Sequence, residues 1–415
     1  MSSPRFTEPG QGRPRGVALL GSTGSIGRQA LDVLAANPGF RVVALAAGRN
    51  GTLLAEQAHA VHPDVVALQV GGDAAFAATL PAGITVEGGE DVLVHLATRP
   101  DVDLVIVGTG GIVSLRPVLA ALAAGKVVAT ANKETLVAGG HLVMPLARAR
   151  AAERAAVDSR DPLASALGWL RPIDSEHSAI WQCLVGEDPA RIDRLILTAS
   201  GGPFLDLPAA EFAGITPERA LRHPTWHMGS KITIDSATLA NKGLEVVEAH
   251  WLYDVGYEAI DVVIHPQSIV HSAVRFSDGS LKAQLGTPDM RLPIQYALTH
   301  PERAAHPAAA APDLVEIARL DFRAPDEARF PALRIARDAG RIGPWATAAL
   351  IAADDVAVER FLAGDLDFPG IPRLLEAAVN RYGATTGPDP DVEALVALDA
   401  EVRAWLPNAS REVAR

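Results

Sequence analysis

Two short polar segments carry side chains that suit metal and phosphate chemistry. Asp174, Ser175 and Glu176 set two carboxylates on either side of one hydroxyl. The stretch Asp235–Glu245 adds a hydroxyl, an amide, an ammonium group and a further carboxylate. Hard divalent cations prefer carboxylate oxygens, and phosphate groups accept hydrogen bonds from hydroxyl and ammonium donors. Together the segments predict metal-assisted chemistry on a phosphorylated substrate.

The carboxylates could form one metal site. Side chains at positions i and i+2 share a side of extended backbone, so Asp174 and Glu176 are expected to face one ion, with Glu245 as a third ligand. Oxygen-only ligation favours Mg²⁺ or Mn²⁺ over Zn²⁺. The alternative is an acidic pair in a solvated loop or helix cap. His177 has no second histidine at ligand spacing and is interpreted as a structural hydrogen-bonding residue.

A glycine-rich loop, Gly21–Gly27, joins a predicted strand at 16–21 to a predicted helix at 25–36. Glycines in this position allow a tight turn and let backbone N–H groups approach a pyrophosphate at the positive end of a helix. The spacing G-x-x-G-x-x-G is a variant of the dinucleotide-binding fingerprint. The loop therefore predicts a nicotinamide dinucleotide site, with a purely structural turn as the alternative.

The end of the second predicted strand bears on the choice of cofactor. NAD-selective sites usually carry an acidic residue about 20 residues beyond the glycine loop. Here that region holds Arg49, and the next carboxylate is Glu56. A cation suits the 2′-phosphate of NADP, so the sequence favours NADP over NAD, unless Arg49 is simply a solvated surface residue.

The elements that must position these residues form an α/β protein. Strand-like runs alternate with Ala/Leu-rich helical stretches through the first third of the chain, which predicts a doubly wound, Rossmann-like parallel sheet. Residues 1–150 are assigned to this domain, residues 151–300 to an α+β catalytic domain, residues 301–330 to a linker and residues 331–415 to a C-terminal helical domain. A hairpin is expected around Ser277–Gly279.

Further polar residues lie at predicted loops. Lys133 follows the strand predicted at 126–130, at the carboxyl edge of the sheet, although a surface lysine is the alternative. The segments Ser200–Phe204 and His223–Trp226 flank a span with few strand signals. Glycines at one end and an aromatic ring at the other suggest a mobile flap that excludes water, unless Trp226 belongs to the core.

Composition narrows the classes of partner and location. The formal net charge of −12 argues against nucleic-acid and anionic-membrane partners. Cys183 is the single cysteine, which excludes an internal disulfide and suits a reducing, cytoplasmic compartment. No apolar run long enough for a membrane helix is present. Residues 1–16, rich in Pro, Gly and Arg, are expected to form a disordered tail.

These segments together resemble the 1-deoxy-D-xylulose 5-phosphate reductoisomerase family. The motifs that carry the resemblance occur in the family's order and cover most of residues 16–295. They are Gly21–Gly27, Asn132–Glu134, Asp174–His177, Ser200–Phe204, His223–Trp226, Asp235–Glu245 and His265–Ser268. The resemblance also implies a homodimer and a three-domain subunit.

The resemblance implies specific roles for the residues of these motifs. Asp174, Glu176 and Glu245 would bind Mg²⁺ or Mn²⁺ and, with Lys133 and His223, form the catalytic set. Substrate contacts would come from the metal-binding glutamates and from Lys133, Ser175, Ser200, His223, Trp226, Ser236, Asn241 and Lys242. The NADPH site would comprise Thr23, Gly24, Ser25, Ile26, Gly27, Gly48, Arg49, Asn50, Asn132, Glu134 and Gly229. Trp226 and Met228 would belong to the flap.

The implied reaction converts 1-deoxy-D-xylulose 5-phosphate to 2-C-methyl-D-erythritol 4-phosphate in non-mevalonate isoprenoid biosynthesis. The skeleton would rearrange by retro-aldol cleavage and re-addition, and NADPH would then reduce the aldehyde. The alternatives are a simple NADP-dependent sugar-phosphate dehydrogenase and a non-catalytic NADP-binding protein. The chain departs from the family in two places: residues 147–170 form a longer segment, and Arg49 stands where members often carry lysine.

Overall fold

The computed structural model describes residues 13–72, 74–226, 228–305 and 311–413. The chain divides into two compact units, each built from three stretches. The first unit comprises residues 1–132, 143–174 and 290–309, and the second comprises residues 133–142, 175–289 and 310–415. The predicted division into three domains and a linker stays a prediction.

The strands form two sheets, one in each unit. In chain order they are β1 (Arg15–Leu20), β2 (Phe40–Ala47), β3 (Val65–Leu68), β4 (Thr85–Glu87), β5 (Leu104–Val107), β6 (Val127–Thr130), β7 (Leu170–Pro172), β8 (Ile192–Ala199), β9 (Ile260–Ile264), β10 (Val270–Phe276) and β11 (Leu281–Leu285).

Helices separate most of these strands and make up the end of the chain. They are α1 (Ser25–Ala35), α2 (Gly51–Val61), α3 (Ala74–Ala77), α4 (Val92–Thr98), α5 (Leu115–Ala123), α6 (Lys133–Ala155, interrupted at Gly139), α7 (Ala166–Trp169), α8 (Ser175–Leu184), α9 (Pro217–Ala220), α10 (Ser230–Thr238), α11 (Ala240–Tyr253), α12 (Arg291–Thr299), α13 (Leu314–Ile317), α14 (Ala332–Ile342), α15 (Pro344–Leu362), α16 (Gly370–Tyr382) and α17 (Val392–Val413). Short 3-10 helices lie at Ile112–Ser114, Pro162–Ala164, Pro189–Arg191, Ala209–Gly214 and Tyr257–Ala259.

The first unit is built on a seven-stranded parallel sheet. Its strand order is β4-β3-β2-β1-β5-β6-β7, and the order reverses between β1 and β5. All residues of β3, β5 and β6 are buried, as expected of a parallel sheet covered on both faces. Ligands of doubly wound sheets bind beyond the carboxyl ends of the strands where the order reverses. The predicted Rossmann-like fold is confirmed.

The second unit combines a mixed sheet with a group of helices. The strand order is β11-β10-β8-β9, with β8 and β9 parallel and the other pairs antiparallel. The predicted hairpin is confirmed, since β10 and β11 pair across a turn in which Gly279 has a positive φ. Helix α8 packs on β10 and β11, and α15 packs on α14, α16 and α17. None of the described helices combines the length and apolar composition needed to cross a bilayer.

The structure describes part or all of three segments singled out from the sequence. The expected tail at 1–16 lies mostly outside the described residues, and its last two residues already belong to β1. The described part of the predicted linker contains α13 and an antiparallel bridge between Ile264 and Arg323. The long segment at 147–170 continues α6 and then turns through α7 into β7.

A buried arginine stabilises the edge of the first sheet. Arg171 of β7 is 1% exposed, and its Nε donates to the carbonyl oxygen of Gly168 at 2.9 Å. Its Nη1 donates to the carbonyl oxygen of Ala297 at 2.7 Å, in the last turn of α12, where the helix dipole favours a cation. Burial lowers the pKa of Arg171 to about 9, so the guanidinium keeps its charge near neutral pH.

The same region gives the protein an acid-sensitive histidine. Burial, and to a lesser extent Arg171, lowers the pKa of His300 to about 4. Because an unfolded histidine titrates near ~6.5, the unfolded state binds the proton first as the pH falls from ~6.5 towards 4. The stability associated with neutral His300 is therefore lost over that window.

We expect His300→Asn to lose less stability than the wild type on acidification. Between pH 7 and pH 5 the wild type should lose about 1 kcal/mol more of its free energy of unfolding than the variant, after allowing for solvent screening of the half-buried ring. Urea denaturation of both proteins at the two pH values measures it. Identical losses would show that His300 does not contribute to the acid sensitivity.

Candidate active site

The glycine loop has the close packing that its sequence predicts. Gly21, directly after β1, has φ +88°, and an added Cβ would lie 2.7 Å from the backbone of Gly108. A Cβ on Gly27 would lie 2.3 Å from the carbonyl oxygen of Gly21. These two glycines are therefore required by the turn and by the contact of α1 with the strand end.

Gly24 differs from the other two glycines of the loop. It is exposed, its φ of −73° and ψ of 174° are accessible to any residue, and an added Cβ would meet its nearest atoms at 3.4 Å and 3.6 Å. Packing within the protein therefore does not require glycine here. Gly24 is the N-cap of α1, where the first N–H groups lack intrahelical acceptors and suit an anion. Thr23 precedes Gly24 in the loop, Ser25 and Ile26 are the first residues of α1, and all three are half-buried.

Arg49 lies two residues beyond the end of β2, which is in the same sheet as β1. Gly48 and Arg49 are exposed just beyond the strand, and Asn50 begins α2 as its N-cap. The side-chain oxygen of Asn50 accepts from the backbone N–H of Leu53 at 3.1 Å. This bond fixes the start of α2 while the Arg49 side chain remains in solvent.

Asn132 links two loops at the carboxyl edge of the first sheet. Its side-chain amide donates to the carbonyl oxygens of Thr109 and Gly111, both at 2.8 Å. Its own N–H donates to the hydroxyl of Thr130, at the end of β6, at 3.0 Å. The buried Asn132 thus sets the shape of the loop after β5, next to the reversal in strand order.

The three predicted metal ligands converge. One carboxylate oxygen each from Asp174, Glu176 and Glu245 lie within 4.8 Å of one another. Asp174 directly precedes Ser175, the first residue of α8, and Glu245 lies on α11. The predicted extended backbone was wrong, because Glu176 lies in the first turn of a helix. The start of α8 is linked to α11 by side-chain contacts, such as that of Glu176 with Lys242.

Two lysines neutralise part of this acidic cluster. Lys133 Nζ lies 3.3 Å from Glu245, and Lys242 Nζ lies 2.9 Å from Glu176 and also binds Glu245. Lys133 and Lys242 are 8% and 4% exposed, and Glu245 is 1% exposed. Buried carboxylates are unstable without paired charges. The all-oxygen donor set of the three carboxylates fits Mg²⁺ or Mn²⁺.

Neighbouring polar side chains order the carboxylates. The amide of Asn241 donates to Glu245 Oε1 at 2.6 Å, one turn earlier on α11. The hydroxyl of Ser175 donates to Glu176 Oε2 at 2.5 Å. The predicted substrate residues Ser175, Asn241 and Lys242 are thus all at the acidic cluster.

A second group of predicted substrate residues surrounds His223. Its Nε2 lies 3.1 Å from the hydroxyls of both Ser200, directly after β8, and Ser236 of α10. Its Nδ1 accepts from the backbone N–H groups of Thr225 and Trp226, at 3.1 Å and 3.0 Å. Since Nδ1 is an acceptor, the proton of the neutral ring resides on Nε2. Burial lowers the pKa of His223, which favours this neutral form.

This arrangement collects hydrogen-bond donors for an anion. The Nε2 of His223 lies within hydrogen-bond distance of both hydroxyls, and the hydrogen bonds described for this ring include no carboxylate. Trp226, in the predicted flap, is half-buried rather than part of the core, and its ring centroid lies 6.2 Å from that of His271. Met228 is also half-buried, while residue 227 lies outside the described residues.

Some residues at the site were not assigned a role from the sequence. His271 of β10 has its ring centroid 6.2 Å from that of the flap tryptophan, and because nearly every residue of β10 is buried, no alternation along the strand identifies it. Lys231 has no role predicted from the sequence, yet its Nζ lies 3.8 Å from Glu134, a predicted cofactor residue. Gly229, another predicted cofactor residue, is the N-cap of α10. His177 is buried on α8, with its Nε2 3.1 Å from a carboxylate oxygen of Glu248, and its hydrogen-bonding role stays a prediction.

Models of known families match most of the chain. A model described as 1-deoxy-D-xylulose 5-phosphate reductoisomerase matches residues 17–140. The model of the C-terminal domain of that enzyme matches residues 170–253, and one described as DXP reductoisomerase C-terminal domain matches residues 285–405.

Curated relatives match over nearly their whole length. The 1-deoxy-D-xylulose 5-phosphate reductoisomerase of Symbiobacterium thermophilum is 48% identical over 408 residues, covering 96% of this chain and 98% of the relative. That of Moorella thermoacetica is 49% identical over 390 residues, covering 93% and 96%.

Solved structures of similar proteins share the fold. The reductoisomerase of Zymomonas mobilis in complex with NADPH is 36% identical with a TM-score of 0.83, covering 96% of this chain and 99% of the other. A DOX-P reductoisomerase in complex with NADPH, fosmidomycin and magnesium is 35% identical with a TM-score of 0.86, covering 97% and 99%.

Proposed function

Because the chain belongs to the 1-deoxy-D-xylulose 5-phosphate reductoisomerase family, we propose that its acidic cluster holds the divalent cation of that reaction and its glycine loop the NADPH. The protein is an NADP-dependent oxidoreductase that rearranges and reduces 1-deoxy-D-xylulose 5-phosphate to 2-C-methyl-D-erythritol 4-phosphate in isoprenoid precursor biosynthesis. The convergence of Asp174, Glu176 and Glu245 is the observation that carries the assignment of the site.

Asp174, Glu176 and Glu245 would hold Mg²⁺ or Mn²⁺, which supplies Lewis acidity towards the substrate's oxygen atoms. Lys133 and Lys242 neutralise the same carboxylates and present ammonium groups beside them. Ser175 and Asn241 orient Glu176 and Glu245 through the bonds described above.

The donors around His223 suit the substrate phosphate. Ser200 and Ser236 offer hydroxyls, and the neutral ring of His223 offers Nε2–H, so the group binds an anion without a buried net charge. Anchoring the phosphate, which does not react, lets binding energy order the flap with Trp226 and Met228 and exclude water from the reacting end.

The NADPH site is proposed around the carboxyl edge of the first sheet. The N–H groups at the start of α1 would bind the pyrophosphate, and Asn132 shapes the adjacent loop. The residues proposed to contact NADPH are Thr23, Gly24, Ser25, Ile26, Gly27, Gly48, Arg49, Asn50, Asn132, Glu134 and Gly229.

We expect Arg49→Gln to raise the KM for NADPH about tenfold and to leave the use of NADH unchanged, because the guanidinium would meet the 2′-phosphate that NADH lacks. Steady-state rates with each cofactor measure the effect. If the wild-type protein uses NADPH and NADH equally well, Arg49 does not recognise the 2′-phosphate.

The reaction itself is tested by following NADPH oxidation with 1-deoxy-D-xylulose 5-phosphate, with Mg²⁺ or with a chelator, and by NMR analysis of the product. A branched product formed only with metal is expected. A straight-chain product would indicate a simple dehydrogenase, and no turnover with any ketose phosphate would indicate an NADP-binding protein. A homodimer, a cytoplasmic location and the lack of a nucleic-acid partner are further proposals from the family resemblance and the negative charge.

A further inference from the structure

A second cluster of charges surrounds Lys231 near the start of α10. Its Nζ lies 2.9 Å from Asp235, 2.5 Å from Asp354, 3.7 Å from Asp355 and 3.8 Å from Glu134. A lysine in the first turn of a helix is opposed by the helix dipole. The four carboxylates, from α6, α10 and α15, explain why a cation is stable at this position.

The cluster is largely buried, so its ion pairs are little screened by solvent. The side chains of Asp235 and Asp354 are 5% and 1% exposed. Asp355 also binds Arg403 of α17 at 2.5 Å, which connects the cluster to the last helix. Removing one partner from a buried network leaves the remaining charges unpaired, which is costly. A fully paired buried network therefore holds its side chains in fixed positions.

Two of these acidic residues are chain neighbours of proposed substrate residues. Glu134 follows Lys133, whose ammonium group lies 3.3 Å from Glu245. Asp235 precedes Ser236, whose hydroxyl lies 3.1 Å from His223 Nε2. Lys231 therefore joins the start of α6 to α10 and fixes both against α15, at the point where the flap segment ends.

We infer that Lys231 is a positioning residue for the substrate site. By holding Asp235 and Glu134 against Asp354, its ammonium group sets the positions of Ser236 and Lys133, without contacting the substrate itself. This inference rests on the proposed function, in which Ser236 binds the phosphate. Displacement of a binding group by about 1 Å can cost about 100-fold in rate.

The test is Lys231→Met, with Lys282→Met as the matched control. Lys282 lies on β11 and pairs with Glu187 at the exposed surface, so the control removes the same charge away from the site. For Lys231→Met we expect the KM for 1-deoxy-D-xylulose 5-phosphate and the Ki of inorganic phosphate both to rise at least about tenfold. The Kd for NADPH should stay within about twofold, and the control should match the wild type.

Two further variants separate positioning from stability. In Lys231→Met/Asp354→Asn one buried charge is removed with the lysine, so the thermal midpoint should recover in part while the KM stays high. If Lys231→Met does not fold, Asp354→Asn alone, which weakens the same contact, should raise the KM at least about threefold.

The possible results distinguish the inference from the function on which it rests. An inactive wild type would contradict the proposed function. An active wild type with an unchanged KM and phosphate Ki in Lys231→Met, or a KM restored to normal in the double variant, would overturn the positioning role alone. If only Asp354→Asn folds, a KM equal to that of the wild type would overturn it too.

Discussion

Glu245→Gln is expected to lower kcat at least about 1000-fold while the Kd for NADPH stays within about twofold. Glutamine keeps the shape of the side chain and its bond to Asn241 but removes a carboxylate from the proposed metal set. It also leaves the ammonium groups of Lys133 and Lys242 without their shared partner. Steady-state kinetics at saturating metal and a fluorescence titration with NADPH measure the two quantities.

Glu187→Gln is the matched control, because Glu187 is exposed and pairs only at the surface with Lys282 among the contacts described. It should retain wild-type kcat and metal dependence. Full activity in Glu245→Gln would remove Glu245 from the metal site. A parallel loss of NADPH affinity would instead indicate a general disruption of the protein.

Gly24→Ala is expected to weaken NADPH binding at least about 30-fold with little change in the thermal midpoint of unfolding. The protein has room for the added methyl group, whose nearest contacts would be 3.4 Å and 3.6 Å, and the backbone angles suit alanine. The methyl group would instead occupy the path by which the pyrophosphate approaches the start of α1. Isothermal titration with NADPH and a thermal melt of the free protein give the two values.

Gly27→Ala and Gly39→Ala serve as comparison variants for this experiment. At Gly27 the new Cβ would lie 2.3 Å from the carbonyl oxygen of Gly21, so this variant should lose stability as well as cofactor. Around Gly39 nothing lies within 4 Å, so this variant should behave as the wild type. NADPH affinity unchanged in Gly24→Ala would place the pyrophosphate elsewhere.

Local patterns in the sequence were sufficient to predict the glycine loop and the strand and helix beside it. Buried strand runs, the helix at 25–35 and the glycine spacing are set by neighbours along the chain, so they predict β1, the turn and α1 closely. The position of Lys133 after β6 follows from the same alternation of strands and helices. Contacts along the chain thus explain why residue types alone predict a glycine loop between a strand and a helix.

Contacts between distant residues could not be predicted in this way. The convergence of the three carboxylates was predicted, yet for the wrong reason, since Glu176 lies on a helix and is held near Glu245 by their shared contact with Lys242. Lys231 and Asp354 are 123 positions apart, and no periodicity links them. Arg171 lies in a short strand pattern that gives no sign of its carbonyl partners in α12.

The most direct test of this account is the anomalous scattering of manganese in crystals of the protein grown with Mn²⁺. We expect one strong peak bound by carboxylate oxygens of Asp174, Glu176 and Glu245, and its loss in Glu245→Gln crystals prepared in the same way. A peak at other residues, or carboxylates that remain paired with Lys133 and Lys242 while the wild-type enzyme turns over with Mn²⁺, would contradict it.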